Sequence, residues 1–311
     1  MKYKYSTEAN LIFSLKKSQI AQQDEFDIIT KSDFFKIDSP CTIYFICQRP
    51  RISVSPNNFS YNKKYIQLSF FVHKQNTKQE FEIKIPNPNP KAIYSLVSIF
   101  PYNYIDIVDE KGTKIISGKS SYLYDFFNKD PKSEILNFEV LYIGKSNTKD
   151  QKVSSLNRLI SHKTLQKIYF DKNQQQPDKE IFFLLCSFDY DGLLFLSGSQ
   201  QYESTIEEEV KRFEKFNNEF QTMDNDKLLS LLEASLISYF KPYYNDHFKD
   251  SFLTKQQKVT NQFIIQDYNS FLIDIDTSDM CMKLYSADIK ASFTHKKDFK
   301  FFKEGDRISI F

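Results

Sequence analysis

The alternation of hydrophobic and polar residues predicts a strand-rich first part of the chain. Residues 41–47 and 65–72 are short β-branched and aromatic runs, and residues 81–85 alternate apolar and charged side chains with the period of a half-buried strand. Residues 104–108 and 114–116 flank a polar turn, which predicts a hairpin. These patterns indicate a β-rich module over residues 1–130.

After Pro131 the pattern becomes mixed. Residues 135–143 and 181–188 predict strands, and residues 154–169 predict a helix that is broken near Thr164. A capping box at residues 205–208 predicts the start of a further helix. The apolar residues Ile206, Val210, Phe213 and Phe220 trace one stripe along this helix.

One more helix is predicted before strands return. Asn225 or Asp226 is expected to cap it, it should run through Phe240, and Pro242 ends it. Residues 263–265, 271–273 and 308–311 then read as strands. The organisation is therefore α+β, with three parts: residues 1–130, 131–250 and a β-rich C-terminal extension over 251–311.

The composition indicates which class of protein this is but does not identify a binding partner. The chain is 41% hydrophobic and 26% charged, with 31 Phe, which is typical of a globular protein. Its net charge of +2 neither requires nor excludes nucleic acid, because a local basic strip matters more than the total. The four cysteines form no Cys-x-x-Cys pair, so we expect reduced thiols and no zinc framework. Without a signal peptide or a run of about 20 apolar residues, the expected location is cytoplasmic, with no membrane partner.

Two short segments carry side chains suited to phosphate chemistry. Tyr142, Ile143 and Gly144 end a predicted strand, which by itself is also typical of a packed edge residue. Arg158 and His162 are four residues apart and share one helix face. Such a pair can bind phosphate, or it can form part of a solvated surface.

A third segment places a carboxylate on a predicted helix. Glu233 lies at the edge of an apolar stripe, so it is expected to be half-buried and to need a partner. That partner is either a metal cation or a Lys or Arg side chain, unless the carboxylate reaches water. The helix ends in Lys241-Pro242-Tyr243-Tyr244-Asn245.

In this order the segments resemble the GIY-YIG nuclease family. Tyr142-Ile143-Gly144 matches the second half of the family signature, Arg158 and His162 match its helix residues, and Glu233 and Asn245 match its metal-binding glutamate and its closing asparagine. The resemblance covers residues 135–245. The first half of the signature, Gly-Ile-Tyr, is absent. The candidates for its tyrosine are Tyr122, Tyr124 and the more distant Tyr104.

The resemblance implies a small antiparallel sheet flanked by helices and a metal-dependent endonuclease that acts on nucleic acid, DNA rather than RNA. Glu233 would bind Mg²⁺ or Mn²⁺, Arg158 would stabilise the scissile phosphate, and Tyr142 would activate water. His162 would assist proton transfer and Asn245 would orient Glu233. The lysines expected to contact phosphates are Lys145, Lys163 and Lys241.

Two other functions fit the same residues. The missing Gly-Ile-Tyr half suggests a nucleic-acid-binding protein without catalysis, on the same fold. The near-neutral charge and the Phe-rich, strand-rich flanks suggest a protein-interaction or structural role. Sequence specificity and oligomeric state stay open.

Overall fold

The computed structural model describes residues 3–32, 34–36, 38–128, 137–146, 159, 162–196, 202–245 and 263–302, with the backbone alone at positions 219 and 221. As predicted, the described chain is of mixed α+β type and consists mostly of strands, which form several sheets. None of its described helices is both long and apolar enough to cross a membrane.

The described elements follow one another along the chain as fourteen strands and five α-helices. The strands are β1 Thr7–Ala21, β2 Ile43–Pro50, β3 Ile52–Val54, β4 Ser60–Tyr61, β5 Tyr65–Lys74, β6 Thr77–Pro86, β7 Tyr94–Val97, β8 Tyr104–Asp109, β9 Lys114–Lys119, β10 Phe138–Lys145, β11 Lys179–Leu196, β12 Ser270–Asp276, β13 Leu284–Tyr285 and β14 Thr294–Lys300. The helices are α1 Phe26–Lys31, α2 Ser120–Phe127, α3 Lys163–Gln175, α4 Ile206–Gln221 and α5 Asn225–Phe240. Short 3₁₀ turns occur at Gln23–Glu25 and Ser278–Met280.

The largest sheet has seven strands in the order β13-β10-β2-β11-β1-β12-β14. It is mixed: β1 runs antiparallel to β11 and parallel to β12, β10 is parallel to β13, and β12 is antiparallel to β14. The prediction of a small antiparallel sheet was therefore wrong, because strands from both ends of the chain join the middle ones. The sequence patterns show which segments are extended but not which ones pair.

Helices α4 and α5 have the caps that their sequences favour. Thr205 and Glu208 bind each other's backbone N–H groups, which confirms the capping box. The side chain of Asp224 accepts from the backbone N–H of Asp226, so the cap of α5 lies one residue before the first predicted position. Lys241, in the left-handed region at φ 48°, ends α5 ahead of Pro242.

The chain divides into two compact units that do not follow the predicted boundaries. The first unit comprises Met1–Cys47, Phe138–Gln166 and Phe182–Phe311, and the second comprises Gln48–Asn137 and Lys167–Ile181. The predicted division at residues 130 and 250 differs from these boundaries. Residues 1–47 and the C-terminal strands share the seven-stranded sheet with β10, so the first unit is formed from distant parts of the sequence.

The second unit has its own sheets and core. One sheet pairs β5 with β3, β4 and β6, and the other has the order β7-β8-β9, which confirms the predicted hairpin of β8 and β9. Their inner faces form one hydrophobic cluster around fully buried side chains such as Ile66, Leu68, Phe70 and Tyr124.

Some local predictions differ from the structure. Residues 263–265 are helical rather than extended, although Phe271–Ile273 do lie in β12 as predicted. His162 separates helical Leu159 from α3, close to the predicted break near Thr164. The predicted strand at residues 308–311 and the Pro131 boundary lie outside the described residues.

Candidate active site

Two tyrosines meet on neighbouring strands of the seven-stranded sheet. Tyr44 of β2 is buried and Tyr142 of β10 is half-buried, with ring centroids 6.1 Å apart and ring planes at 32°. Burial raises the pKa of both phenols, and the hydrogen bond between their hydroxyl groups adds to that rise for Tyr44 and opposes it for Tyr142. The sheet therefore joins two phenols that lie far apart in the sequence.

Gly144 leaves the space in which the Tyr44 hydroxyl lies. A Cβ at position 144 would be 2.4 Å from Tyr44 Oη and 2.9 Å from Tyr142 Cε1, closer than real Cβ contacts allow. The glycine is thus required by the close approach of the two rings.

Glu233 reaches the same place from α5, which packs on β10. Its Oε1 atom accepts a hydrogen bond of 3.0 Å from the backbone N–H of Lys145, just beyond Gly144. The side chain is half-buried, as predicted. Burial raises its pKa, while the Lys145 hydrogen bond and charge oppose that rise.

The carboxylate and the two phenols influence one another. Burial is the main cause that raises the pKa of Tyr44 and of Tyr142, and the negative charge of Glu233 raises both further. Without a cation, both phenols are therefore protonated at neutral pH. A positive charge beside Glu233 would act in the opposite direction.

Asn245 binds β10 rather than Glu233. Its Oδ1 accepts from the Ile143 N–H at 2.9 Å and its Nδ2 donates to the Ile143 carbonyl at 2.8 Å. The backbone N–H of Tyr244 also donates to the Leu141 carbonyl, at 3.0 Å. The expected hydrogen bond from Asn245 to Glu233 was wrong, because the side-chain amide binds the backbone of Ile143 as a neighbouring strand would.

His162 lies beside Tyr142, with ring centroids 5.6 Å apart. Burial lowers its pKa, so the neutral imidazole is favoured, and among the described residues its Nδ1 atom has no hydrogen-bond partner. Arg158 lies outside the described residues, whereas Leu159 is buried as the predicted helix face requires.

Of the three predicted phosphate contacts, Lys145 is the one held within the site. Its Nζ donates to the Ser230 hydroxyl at 2.7 Å, one helical turn before Glu233. Lys163, at the start of α3, and Lys241, at the end of α5, are both exposed.

None of the three candidate tyrosines lies in the same unit as Tyr142. Tyr122, Tyr124 and Tyr104 all belong to the second unit, where Tyr124 is part of the hydrophobic core. Tyr44 was missed, although Thr42-Ile43-Tyr44 differs from Gly-Ile-Tyr only in its first residue. Residues 48–137 of the second unit separate β2 from β10 in the sequence, so the pairing of these two strands could not be predicted from local patterns.

The donor set suits a cation bound mainly by solvent and substrate. Among the described residues, no group of three His, Cys, Asp or Glu side chains converges. Mg²⁺ commonly keeps several waters and needs one or two carboxylates together with phosphate oxygens. A single carboxylate whose Oε1 is already fixed by a backbone N–H is compatible with that mode of binding.

Comparison with known proteins adds no relative. No family model matches the chain, and searches of curated proteins and of solved structures returned no match.

Proposed function

We propose that the first unit is a GIY-YIG-type endonuclease that hydrolyses phosphodiester bonds of nucleic acid, DNA rather than RNA, with one divalent cation. The observation that supports this proposal best is the Tyr44–Tyr142 hydroxyl pair beside the Glu233 carboxylate. Tyr44 supplies the second tyrosine that the sequence lacks in the form Gly-Ile-Tyr.

Mg²⁺ or Mn²⁺ would be held by Glu233, with water and substrate oxygens in the remaining positions. When bound, the cation would offset negative charge on the phosphate and on the leaving oxygen. The backbone N–H of Lys145 donates to Oε1 of Glu233 and so orients the carboxylate, and this hydrogen bond does not involve Oε2.

The two tyrosines would have different roles in activating water. Tyr142 would first lose its own proton to solvent, which a cation beside Glu233 would favour. Its phenolate, stabilised by the hydrogen bond with Tyr44, would then accept the proton of the attacking water. Tyr44 would donate its hydroxyl proton to that phenolate and hold Tyr142 in position.

The remaining polar side chains would bind and orient the substrate. Arg158 would contact the scissile phosphate through its guanidinium group. The neutral imidazole of His162, beside Tyr142, would hold a water molecule or a phosphate oxygen. Asn245 contributes indirectly, since it holds β10 and so the position of Tyr142.

A cleavage panel tests the proposal. Wild type and Glu233→Gln are incubated with plasmid DNA, single-stranded DNA and RNA, each with Mg²⁺, with Mn²⁺ or with EDTA. We expect metal-dependent cleavage of DNA by wild type and none by the variant, whose glutamine can still accept the Lys145 hydrogen bond. Folded protein that binds DNA in a salt-dependent manner but never cleaves it would support the non-catalytic alternative instead.

A further inference from the structure

Helix α4 exposes three of the four residues of the apolar stripe that the sequence predicted. Ile206, Val210 and Phe213 are spaced by four and three residues, so they share one helix face, and their exposed fractions are 77%, 51% and 53%. Phe216 and Phe220 face the sheet instead, and of the two only Phe216 is buried.

Polar contacts fix α4 in this orientation. Glu209 accepts hydrogen bonds from the backbone N–H of Ser6, at 2.7 Å, and from the hydroxyls of Thr7 and Ser204. Arg212 donates to Asp267 at 2.9 Å and lies 4.4 Å from the ring centroid of Tyr5. Turning the helix to bury its apolar stripe would break these contacts.

The inner face of α4 is also closely packed. A Cβ at position 192 of β11 would lie 2.8 Å from Phe220 and 2.9 Å from Phe216, so Gly192 admits the two rings against the sheet. The outward position of the stripe is therefore part of a well-packed arrangement. Leu196, opposite Thr7 in the β1–β11 register and 76% exposed, adds apolar surface at the end of β11.

The charge beside the stripe is acidic. Glu207 and Glu214 lie seven residues apart on one flank of it and are both exposed, with the exposed Lys211 between them. Residues 202–221 carry six Glu against two Lys and one Arg, while the whole chain has a net charge of +2. Of these basic residues, Arg212 is already paired with Asp267. An acidic, apolar surface repels a nucleic-acid backbone and suits a basic partner.

We propose that this stripe, defined by Ile206, Val210 and Phe213, is a docking surface for an amphipathic helix of a partner protein. The partner helix would carry apolar residues at a spacing of three and four, flanked by Lys or Arg that face Glu207 and Glu214. The surface is separate from the Tyr44–Glu233 site, and the proposal does not depend on nuclease activity.

Two fluorescent synthetic helices of about four turns test the proposal on the full chain. Both carry the same leucine stripe, which is flanked by Lys in one peptide and by Glu in the other. Fluorescence anisotropy should show binding of the Lys peptide that weakens with salt, and at least about tenfold weaker binding of the Glu peptide.

Variants separate the apolar and charged contributions. Val210→Ser combined with Phe213→Ser should weaken binding of the Lys peptide about tenfold or more. Phe170→Ser removes another exposed Phe, 69% exposed on α3, and should leave binding unchanged. Glu207→Lys with Glu214→Lys should reverse the preference between the two peptides.

Three results would overturn the proposal. These are no binding of the Lys peptide, equal binding of both peptides, and Lys-peptide binding that the double serine variant retains. Light scattering provides the remaining outcome: a dimer of wild type that the serine variant abolishes would mean that a second copy of this chain covers the stripe instead.

Discussion

At the scale of residues, the candidate site brings together three buried or half-buried ionisable groups that raise the free energy of one another's ionisation. Tyr44, Tyr142 and Glu233 are each partly or fully removed from water, and the carboxylate charge makes ionisation of either phenol harder. Shifted pKa values of this kind are typical of functional sites, and a bound cation would make ionisation of these groups easier. Glu233 and Tyr142 could be predicted because a local motif carries them, whereas Tyr44 depends on a distant strand.

Glu233→Gln should stabilise the metal-free protein at neutral pH. Because burial raises the pKa of Glu233 in the folded state, this group stabilises the fold only at low pH, and that contribution is lost as pH rises through the raised pKa. Thermal melts should place the variant above wild type at pH 7.5, by about 2–4 °C for each kcal/mol. The difference should shrink as the pH falls towards the ordinary pKa of Glu. A pH-independent difference, or a less stable variant at pH 7.5, would contradict this explanation.

Gly144→Ala should move the Tyr44 hydroxyl and reduce cleavage about 10²-fold, since misplacing a catalytic group by about 1 Å can cost that much. The measurement is the single-turnover cleavage rate, alongside the circular dichroism of the folded variant. Gly118→Ala is the matched control, because a Cβ there would lie an ordinary 3.5 Å from Leu123. Equal rates for the two variants would show that the close approach at position 144 is not needed.

At the scale of elements, the turn after α5 forms hydrogen bonds with the backbone of β10, as an additional strand would. Strand β13 pairs with β10 at Phe138 and Glu139, and further along β10 the residues Tyr244 and Asn245 form hydrogen bonds with Leu141 and Ile143. The sequence predicted β10, β11 and α5 because each contains a run of apolar residues that the fold buries. It predicted α4 as well but not which face of that helix is exposed, because the polar contacts of Glu209 and Arg212 decide its orientation.

Asn245→Ala should destabilise the protein through β10. Removing the amide leaves the buried N–H and C=O of Ile143 without their partner, at a cost of about 1–3 kcal/mol for each group. Urea denaturation measures the loss. Asn225→Ala, which removes a side-chain hydrogen bond at the exposed start of α5, is the control and should have a much smaller effect. Unchanged stability of Asn245→Ala would mean that the amide does not support β10.

At the scale of the whole molecule, the first unit is assembled from three separate stretches of chain. The strand β1 pairs with β11 and β12, at sequence distances that no local pattern encodes. For that reason the α+β class could be predicted from the sequence, but the division into units and the extent of the sheet could not. The same long separation concealed Thr42-Ile43-Tyr44 as the partner of the Tyr142 strand.

The salt dependence of DNA binding should report on the predicted phosphate contacts. Each Lys that neutralises a phosphate of duplex DNA contributes about 0.9 to the slope of log K against log salt concentration. The triple variant Lys145→Ala, Lys163→Ala, Lys241→Ala should therefore reduce that slope by up to about 2.7. A triple control at the exposed residues Lys211, Lys227 and Lys290 should leave it unchanged. Equal slopes for both variants would place the DNA contact elsewhere.

The most direct test of the proposed site is a double-mutant cycle of Tyr44→Phe and Tyr142→Phe, followed by the rate of metal-dependent DNA cleavage. Each single variant should lose about 10²–10⁴ in rate, and the double variant should be little worse, because the hydroxyl pair acts as one unit. Tyr104→Phe, at an exposed tyrosine of the second unit, should cleave like wild type. Wild-type rates in both single variants, or losses that multiply in the double variant, would contradict a shared role of the two tyrosines.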